Sequence, residues 1–254
     1  MCPSLFHLGP LTLHTYGLLI AIGFLLGLSV MKTTLAPLGL HGDVVDRLSV
    51  LILLAGLLGA RIMFFAVDGF VGLRADPLVF FRIWEGGLAF YGGVCASLIA
   101  IAVFARRRKI PLLKLCDALV PPLLIAHALG RLGCLAAGCC YGKPAGEWPG
   151  ITFTNPESLA PRYIPLIPTQ PMESAALLAL FGFSMMIFRR DAITGRLSAF
   201  YLCGYAVVRF LMEFLRGDDR GQFVLGLSPS QLVAVVMLAA GVGVFFYGKK
   251  IDRR

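Results

Sequence analysis

The sequence predicts an all-α, polytopic membrane protein, and three observations lead there. Of 254 residues, 58% are hydrophobic and 15% charged, with a mean hydropathy of +0.82. That leaves too little polar surface to cover a water-soluble globule. Seven apolar segments, at 12–32, 46–66, 87–105, 115–137, 172–188, 197–215 and 231–248, approach the roughly 20 residues that a spanning helix needs. The basic residues are also unevenly shared. With the N-terminus outside, 14 of the 23 Lys and Arg fall on the cytoplasmic face, six outside and three, Arg61, Arg131 and Arg209, within spans. This predicts an N-out, C-in orientation. It also makes the net charge of +9 a topology signal that favours anionic lipid rather than nucleic acid. No connection is long enough for a soluble domain, so residues 1–254 are expected to form a single membrane domain.

Each element has its own reason. The first span has no basic segment before it and no small-residue cleavage site after it, which marks a retained helix. The second carries Arg61. An outer loop at 67–86 leads through Trp84-Glu85-Gly86-Gly87 into the third span, which opens Gly86-Gly87-Leu88-Ala89-Phe90-Tyr91-Gly92-Gly93. Glycines at that density are poor helix formers. They suit close helix packing through small residues, or backbone and a Tyr91 hydroxyl presented to a ligand. The turns Arg106-Arg107-Arg108-Lys109-Ile110-Pro111 and Arg189-Arg190-Asp191-Ala192-Ile193-Thr194-Gly195 join basic residues to helix breakers. The Gly- and Pro-rich stretch around 138–171 is expected to be an ordered outer loop, with Trp148 and Tyr163 at the interface.

Ionisable residues inside a span cost at least about 2.5 kcal/mol on insertion scales. Each is therefore either paired or functional. On the sixth span Tyr205, Arg209, Glu213 and Arg216 fall at about 0, 40, 80 and 20 degrees around the helix, forming one polar stripe. An Arg209–Glu213 ion pair that merely stabilises the bundle accounts for it as readily as a site does. Asp117, His127, Arg131 and Cys134 share a face of the fourth span, which implies an interior cavity between the two. In the N-out orientation these arginines, with Arg61, Tyr16, Tyr91 and Glu173, lie in the outer half of the bilayer. Several guanidiniums beside a single acid at that depth suit an anion, and a phospholipid phosphate matches their fork geometry. Seven cysteines, Cys2, Cys95, Cys116, Cys134, Cys139, Cys140 and Cys203, do not form a disulfide framework. The Cys134, Cys139 and Cys140 group reads as compact apolar filling beside glycines, with a redox pair as the alternative. The four histidines are scattered, and no metal site is expected.

The segment Gly130-Arg131-Leu132-Gly133-Cys134-Leu135-Ala136-Ala137-Gly138-Cys139-Cys140-Tyr141-Gly142 resembles the signature of prolipoprotein diacylglyceryl transferases. Thr15-Tyr16-Gly17, Gly59-Ala60-Arg61, Gly86-Gly87 to Gly92-Gly93, Asp117, Pro168-Thr169-Gln170 with Glu173, and Arg209-Phe210-Leu211-Met212-Glu213-Phe214 follow the family's order over nearly the whole chain. The resemblance implies a bacterial inner-membrane enzyme that moves the diacylglyceryl group of phosphatidylglycerol onto the lipobox cysteine of a preprolipoprotein, without metal or organic cofactor. It implies that Arg131 and Arg209 hold the phosphate and stabilise its departure, with Glu213 fixing Arg209 and Tyr91 positioning lipid or thiol. It further implies that Tyr16, Arg61, Gly92, Gly93, Asp117, Cys134, Gly142, Gln170 and Glu173 line the substrate site. Three positions depart from the common pattern: Tyr91 replaces His, Cys134 replaces Asn and Cys139 replaces Glu. A membrane thiol oxidoreductase and an anion transporter are the competing classes. The first lacks a second outer cysteine pair, and the second lacks internal repeats.

Overall fold

The computed structural model describes residues 4–8, 11–83, 86–190, 195–218 and 226–252. Cys2, Trp84, Glu85, the turn residues 191–194, Arg220, Arg253 and Arg254 lie outside the described residues. Among those described, seven helices are long and apolar enough to cross a membrane, and the chain is a multi-pass membrane protein. An N-terminal hairpin of β1 (Ser4–Leu8) and β2 (Leu11–His14) leads into α1 (Thr15–Thr34). Then come α2 (Asp43–Val67), a short α3 (Val71–Ala75), α4 (Phe90–Arg108) and α5 (Leu112–Ala137). A two-residue pair, β3 (Ile151–Thr152) and β4 (Pro165–Leu166), precedes α6 (Thr169–Arg190), α7 (Arg196–Leu215) and α8 (Pro229–Asp252). The first span starts three residues later than hydropathy predicts. Leu11-Thr12-Leu13-His14 alternates apolar and polar, a two-residue period that a span-length window averages away.

The chain divides into two compact units, Leu35–Cys116 and the remainder. In the first, α2 and α4 pack through glycine. A Cβ at Gly92 would lie 2.4 Å from the Gly59 carbonyl oxygen, and one at Gly59 would lie 2.3 Å from the Ala96 Cβ. A Cβ at Gly93 would lie 3.0 Å from the Gly56 oxygen. These distances answer the question left open by the glycine pairs. Gly92 and Gly93 let the backbones of α2 and α4 come close, and helix packing is the reading these distances bear.

The second unit is built on α5. Its interior holds Val120, Leu124 and Ala128 of α5, Leu177 of α6, and Leu197 and Tyr205 of α7. The Ser174 hydroxyl donates to the Ala128 carbonyl at 3.0 Å. Against α5, the Gly23 and Gly27 positions of α1 approach backbone oxygens of Ala126 and Pro122, each 3.1 Å from where a Cβ would sit. Pro121 and Pro122 lie within α5 and remove two amide donors, and close α1 backbone covers that stretch. Of the spanning windows, 44% of α5 and 39% of α7 are buried, against 17–22% of the other five. The helices that carry Arg131 and Arg209 are therefore the most buried of the seven. Leu25, Val236, Phe246 and other large apolar residues of the peripheral helices are exposed, as lipid-facing positions should be.

Residues 138–168 form an ordered loop with a small core of its own, Phe153, Ala160 and Leu166 packed with Leu135, Tyr141 and Ile151. Trp148 and Tyr163 are exposed on it. It ties two helix ends together. Lys143 N–H donates to the Leu215 carbonyl at 2.9 Å, Gly217 N–H to Tyr141 at 3.0 Å, and Ile167 N–H to Lys143 at 2.9 Å.

Candidate active site

Three arginines and three acids meet where α5, α6 and α7 end beneath this loop. Arg131 Nη2 lies 2.8 Å from Glu173 Oε1. The contact is close yet poorly aligned, and that oxygen has no hydrogen-bond partner. Arg216 Nη1 approaches Glu173 Oε2 at 3.8 Å and grips Asp218 in a two-pronged pair at 2.9 and 3.0 Å. Arg209 Nη2 donates to Glu213 Oε2 at 2.5 Å, closing the i, i+4 pair that the helical period placed on one face. Tyr205 lies within electrostatic reach of Arg131, Arg209 and Glu173, and its ring meets that of His127 edge to face at 5.1 Å. Outside the spans, burial raises the Asp218 carboxyl above its ordinary value, against the opposing pull of Arg216.

The cluster is formally neutral, with Arg131, Arg209 and Arg216 balanced by Glu173, Glu213 and Asp218. This corrects the expectation of several arginines beside one acid. What it offers an anion is unmet donors rather than excess charge. Arg131 Nε and Arg209 Nη1 are buried N–H groups without a hydrogen-bond partner, a condition that costs about 1–3 kcal/mol each or more for charged groups. The acids hold the guanidiniums of Arg131 and Arg209 in place and leave Arg131 Nε and Arg209 Nη1 unmet.

Tyr16 and Cys134 sit beside Arg131. The Tyr16 ring covers Gly133, where a Cβ would lie 3.0 Å from Cδ2, which explains the second glycine of Gly130-Arg131-Leu132-Gly133. Beyond α5 the chain reverses at Gly138 (φ +77°) and Cys140 (φ +61°). The sulfur atoms of Cys134, Cys139 and Cys140 then lie within 4.8 Å of one another. Each cysteine is partly exposed, so they are not the buried apolar filling the sequence suggested. The turn is pinned from α6. Gln170 Nε2 donates to the Cys139 carbonyl and Thr169 Oγ1 to the Cys140 carbonyl, both at 2.9 Å. The Cys140 thiol is held below its ordinary value chiefly by hydrogen bonds with Cys134 and Cys139, with Arg216 and Arg131 adding to the effect against burial.

Other residues expected at the site make contacts within the fold. Arg61 was expected at the substrate, but all five of its N–H groups face backbone carbonyls. Nε donates to Phe80 at 3.0 Å, Nη1 to Gly86 and to Gly87, and Nη2 to Val79 and to Arg82. Its guanidinium stacks 4.8 Å from the Phe65 ring centroid. No donor remains for a phosphate, and Gly87 (φ +75°) leaves room for the side chain. Asp117 is fully buried and accepts from Gly195 N at 2.5 Å, Ser198 N at 2.8 Å and Ser198 Oγ at 2.6 Å. It caps the start of α7, about 20 Å along α5 from Arg131 at 1.5 Å per residue. Gly142 is also structural. Its Cβ would lie 2.4 Å from the Ile167 oxygen, and its backbone bridges to Arg216, which seats that arginine in the network. Tyr91, in the Leu35–Cys116 unit, is exposed against Phe90.

The chain matches the family described as prolipoprotein diacylglyceryl transferase over residues 3–247. It belongs to that family. Among curated relatives, a phosphatidylglycerol–prolipoprotein diacylglyceryl transferase of Clostridium tetani is 32% identical over 253 residues, covering 100% of this chain and 98% of its own. The Dehalococcoides mccartyi enzyme of that name is 30% identical over 250 residues (98% and 94%). That of Escherichia coli is 30% identical over 264 aligned positions (94% and 90%). In this family member, Arg216 and Asp218 join the network although neither was expected at the site. Arg216 lay on the polar stripe of the sixth span, but its position at the helix end made it look like an outer-loop charge. Asp218 follows in the loop, where no periodicity marks it.

Proposed function

We propose that the protein transfers the diacylglyceryl group of phosphatidylglycerol to the lipobox cysteine thiol of preprolipoproteins, forming a thioether and releasing glycerol phosphate, the first step of lipoprotein maturation. Family membership and the names of the relatives support the activity. The structural observation that carries the reading is the pair of buried, unmet guanidinium donors, Arg131 Nε and Arg209 Nη1. In the reaction the thiolate sulfur attacks the glyceryl carbon next to the phosphate oxygen. The C–S bond forms, the C–O bond breaks, and the phosphodiester monoanion becomes a monoester dianion. Negative charge therefore grows on the phosphate during the step, and donors already held in position stabilise it without reorganising. Glu173 and Glu213 hold the donors, and Tyr16 lies over the Arg131 turn. The basic residues support an N-out, C-in arrangement in the bacterial inner membrane, with the site in the outer half.

The test is direct. The purified protein, given phosphatidylglycerol vesicles and a lipobox peptide, is expected to release glycerol phosphate and to add a diacylglyceryl mass to the peptide. The same peptide with Cys→Ser should stay unmodified. Release of glycerol phosphate without peptide modification, or no release by folded protein, would contradict the proposal.

A further inference from the structure

Three thiols meet at the end of α5, and the way the helix stops puts them there. Gly138 (φ +77°) turns the chain. Its N–H donates to the Leu135 carbonyl at 3.3 Å, and Cys139 N–H donates to the Cys134 carbonyl at 3.1 Å. This paired closure is a Schellman ending, which sets the third residue before the cap against the second one after it, usually through an apolar contact. Here both of those residues are cysteines. The Cys140 sulfur joins them, with all three within 4.8 Å of one another. Each is partly exposed, so a small thiol reagent can reach them. The turn is also tied to the arginine network from two sides. Arg131 lies one helical turn before Cys134 on α5. On α6 the nearly fully buried Thr169 and Gln170 hold the carbonyls of Cys140 and Cys139, and Glu173, one turn further on, meets Arg131 at 2.8 Å.

We propose that Cys134 and Cys139 form a reversible disulfide, entered through Cys140, that switches diacylglyceryl transfer off. The switch rests on the proposed transferase function, because transfer is what it controls. Its oxidant is a low-molecular-weight disulfide, RSSR. The Cys140 thiol, held below its ordinary value by hydrogen bonds with Cys134 and Cys139 and by Arg216 and Arg131, supplies the thiolate that attacks first. One RS⁻ leaves and a Cys140–SR mixed disulfide forms. The Cys134 thiol then attacks the Cys140 sulfur and expels the second RS⁻. Cys139 attacks the Cys134 sulfur in turn and releases Cys140, the better leaving group because its thiol is the more acidic. In sum, two protein thiols lose two electrons and two protons, and RSSR becomes two RSH. Bonded sulfurs are about 2 Å apart, so closing the pair draws the Cys139 backbone away from where Gln170 holds it and disturbs the Glu173–Arg131 contact. A misplacement of about 1 Å near a reacting centre can cost about 100-fold in rate. On the outer side proposed for it, the turn faces the compartment in which disulfides persist.

The experiment uses glutathione as the probe. Full-length protein in phosphatidylglycerol nanodiscs is reduced, freed of reductant and equilibrated at graded ratios of oxidised to reduced glutathione. After glutathione is removed, one aliquot is alkylated for peptide mass spectrometry. Another gives the initial rate of glycerol phosphate release with lipobox peptide. The wild type is expected to gain a Cys134–Cys139 bond and to lose transfer by about 100-fold, with recovery in dithiothreitol. Cys134→Ser should show the same rate before and after oxidation, whatever its basal rate, and Cys203→Ser should switch as the wild type does. Cys140→Ser should reach the same disulfide about tenfold more slowly or worse. No bond between Cys134 and Cys139, a bond without loss of transfer, loss in Cys134→Ser equal to that of the wild type, or unslowed oxidation of Cys140→Ser overturns the inference. In each of those cases transfer by the reduced protein leaves the transferase function standing. Absence of transfer by reduced, folded protein contradicts that function, and the switch falls with it.

Discussion

Glu213→Gln isolates the electrostatic role of one acid with little change in shape. In the wild type, Arg209 Nη2 and Glu213 Oε2 are 2.5 Å apart with side chains 9% and 6% exposed, so solvent does little to screen the pair. Glutamine keeps an acceptor at that position but removes the charge that aligns the guanidinium. Loss of a charge-assisted hydrogen bond is worth about 1.5–3 kcal/mol. If Arg209 stabilises the departing phosphate, kcat/KM should fall by about 10- to 150-fold, since 1.4 kcal/mol is tenfold. The assay is glycerol phosphate release from phosphatidylglycerol nanodiscs at saturating lipobox peptide, with thermal unfolding followed in parallel. A double-mutant cycle with Arg209→Lys sharpens it. Residues acting as a unit are non-additive, so the double variant should be little worse than the poorer single one. Wild-type kcat/KM for Glu213→Gln, or fully additive losses, would refute the reasoning.

Other positions separate scaffolding from chemistry. Arg61→Lys keeps the charge but replaces five donors with three; it should lower stability by about 2–4 kcal/mol, seen as a lower Tm, and an unchanged Tm would return Arg61 to the candidate substrate ligands. Gly92→Ala should destabilise by about 1–3 kcal/mol through overpacking, more than Gly93→Ala, because the new Cβ would meet backbone at 2.4 Å rather than 3.0 Å; the opposite Tm order would count against the α2–α4 packing. Tyr91→Phe should leave transfer largely intact, because Tyr91 is exposed beside Phe90 rather than among the arginines; abolished transfer with lipid binding preserved would make Tyr91 part of the chemistry.

The spans were legible in the sequence because apolar length is a direct consequence of bilayer thickness, and the Arg209–Glu213 pair because four residues bring side chains round to one helical face. What could not be read from the sequence has one physical cause. A buried arginine or aspartate in a span signals a paired or functional group, but its identity does not say which partner it meets. Arg61 meets backbone carbonyls of its own loop and Asp117 meets the amides that open α7, contacts set by how the loops fold back. Gly92 and Gly142 could not be told from ligand-facing glycines for the same reason: what a missing Cβ makes room for is a tertiary fact. The convergence of Cys134, Cys139 and Cys140 depends on a left-handed cysteine that local propensity disfavours. Arg216 meets Glu173 because the loop at 138–168 pins the end of α7.

The central claim is that the unmet donors of Arg131 and Arg209 receive the lipid phosphate. Titrating a short-chain phosphatidylglycerol into the protein in phosphatidylcholine nanodiscs, without peptide, measures this before any chemistry. Arg131→Lys and Arg209→Lys, which keep the charge but lose the guanidinium fork, should each raise Kd by about tenfold or more, with Arg61→Lys near the wild-type value. Equal Kd for wild type, Arg131→Lys and Arg209→Lys in folded protein would contradict it.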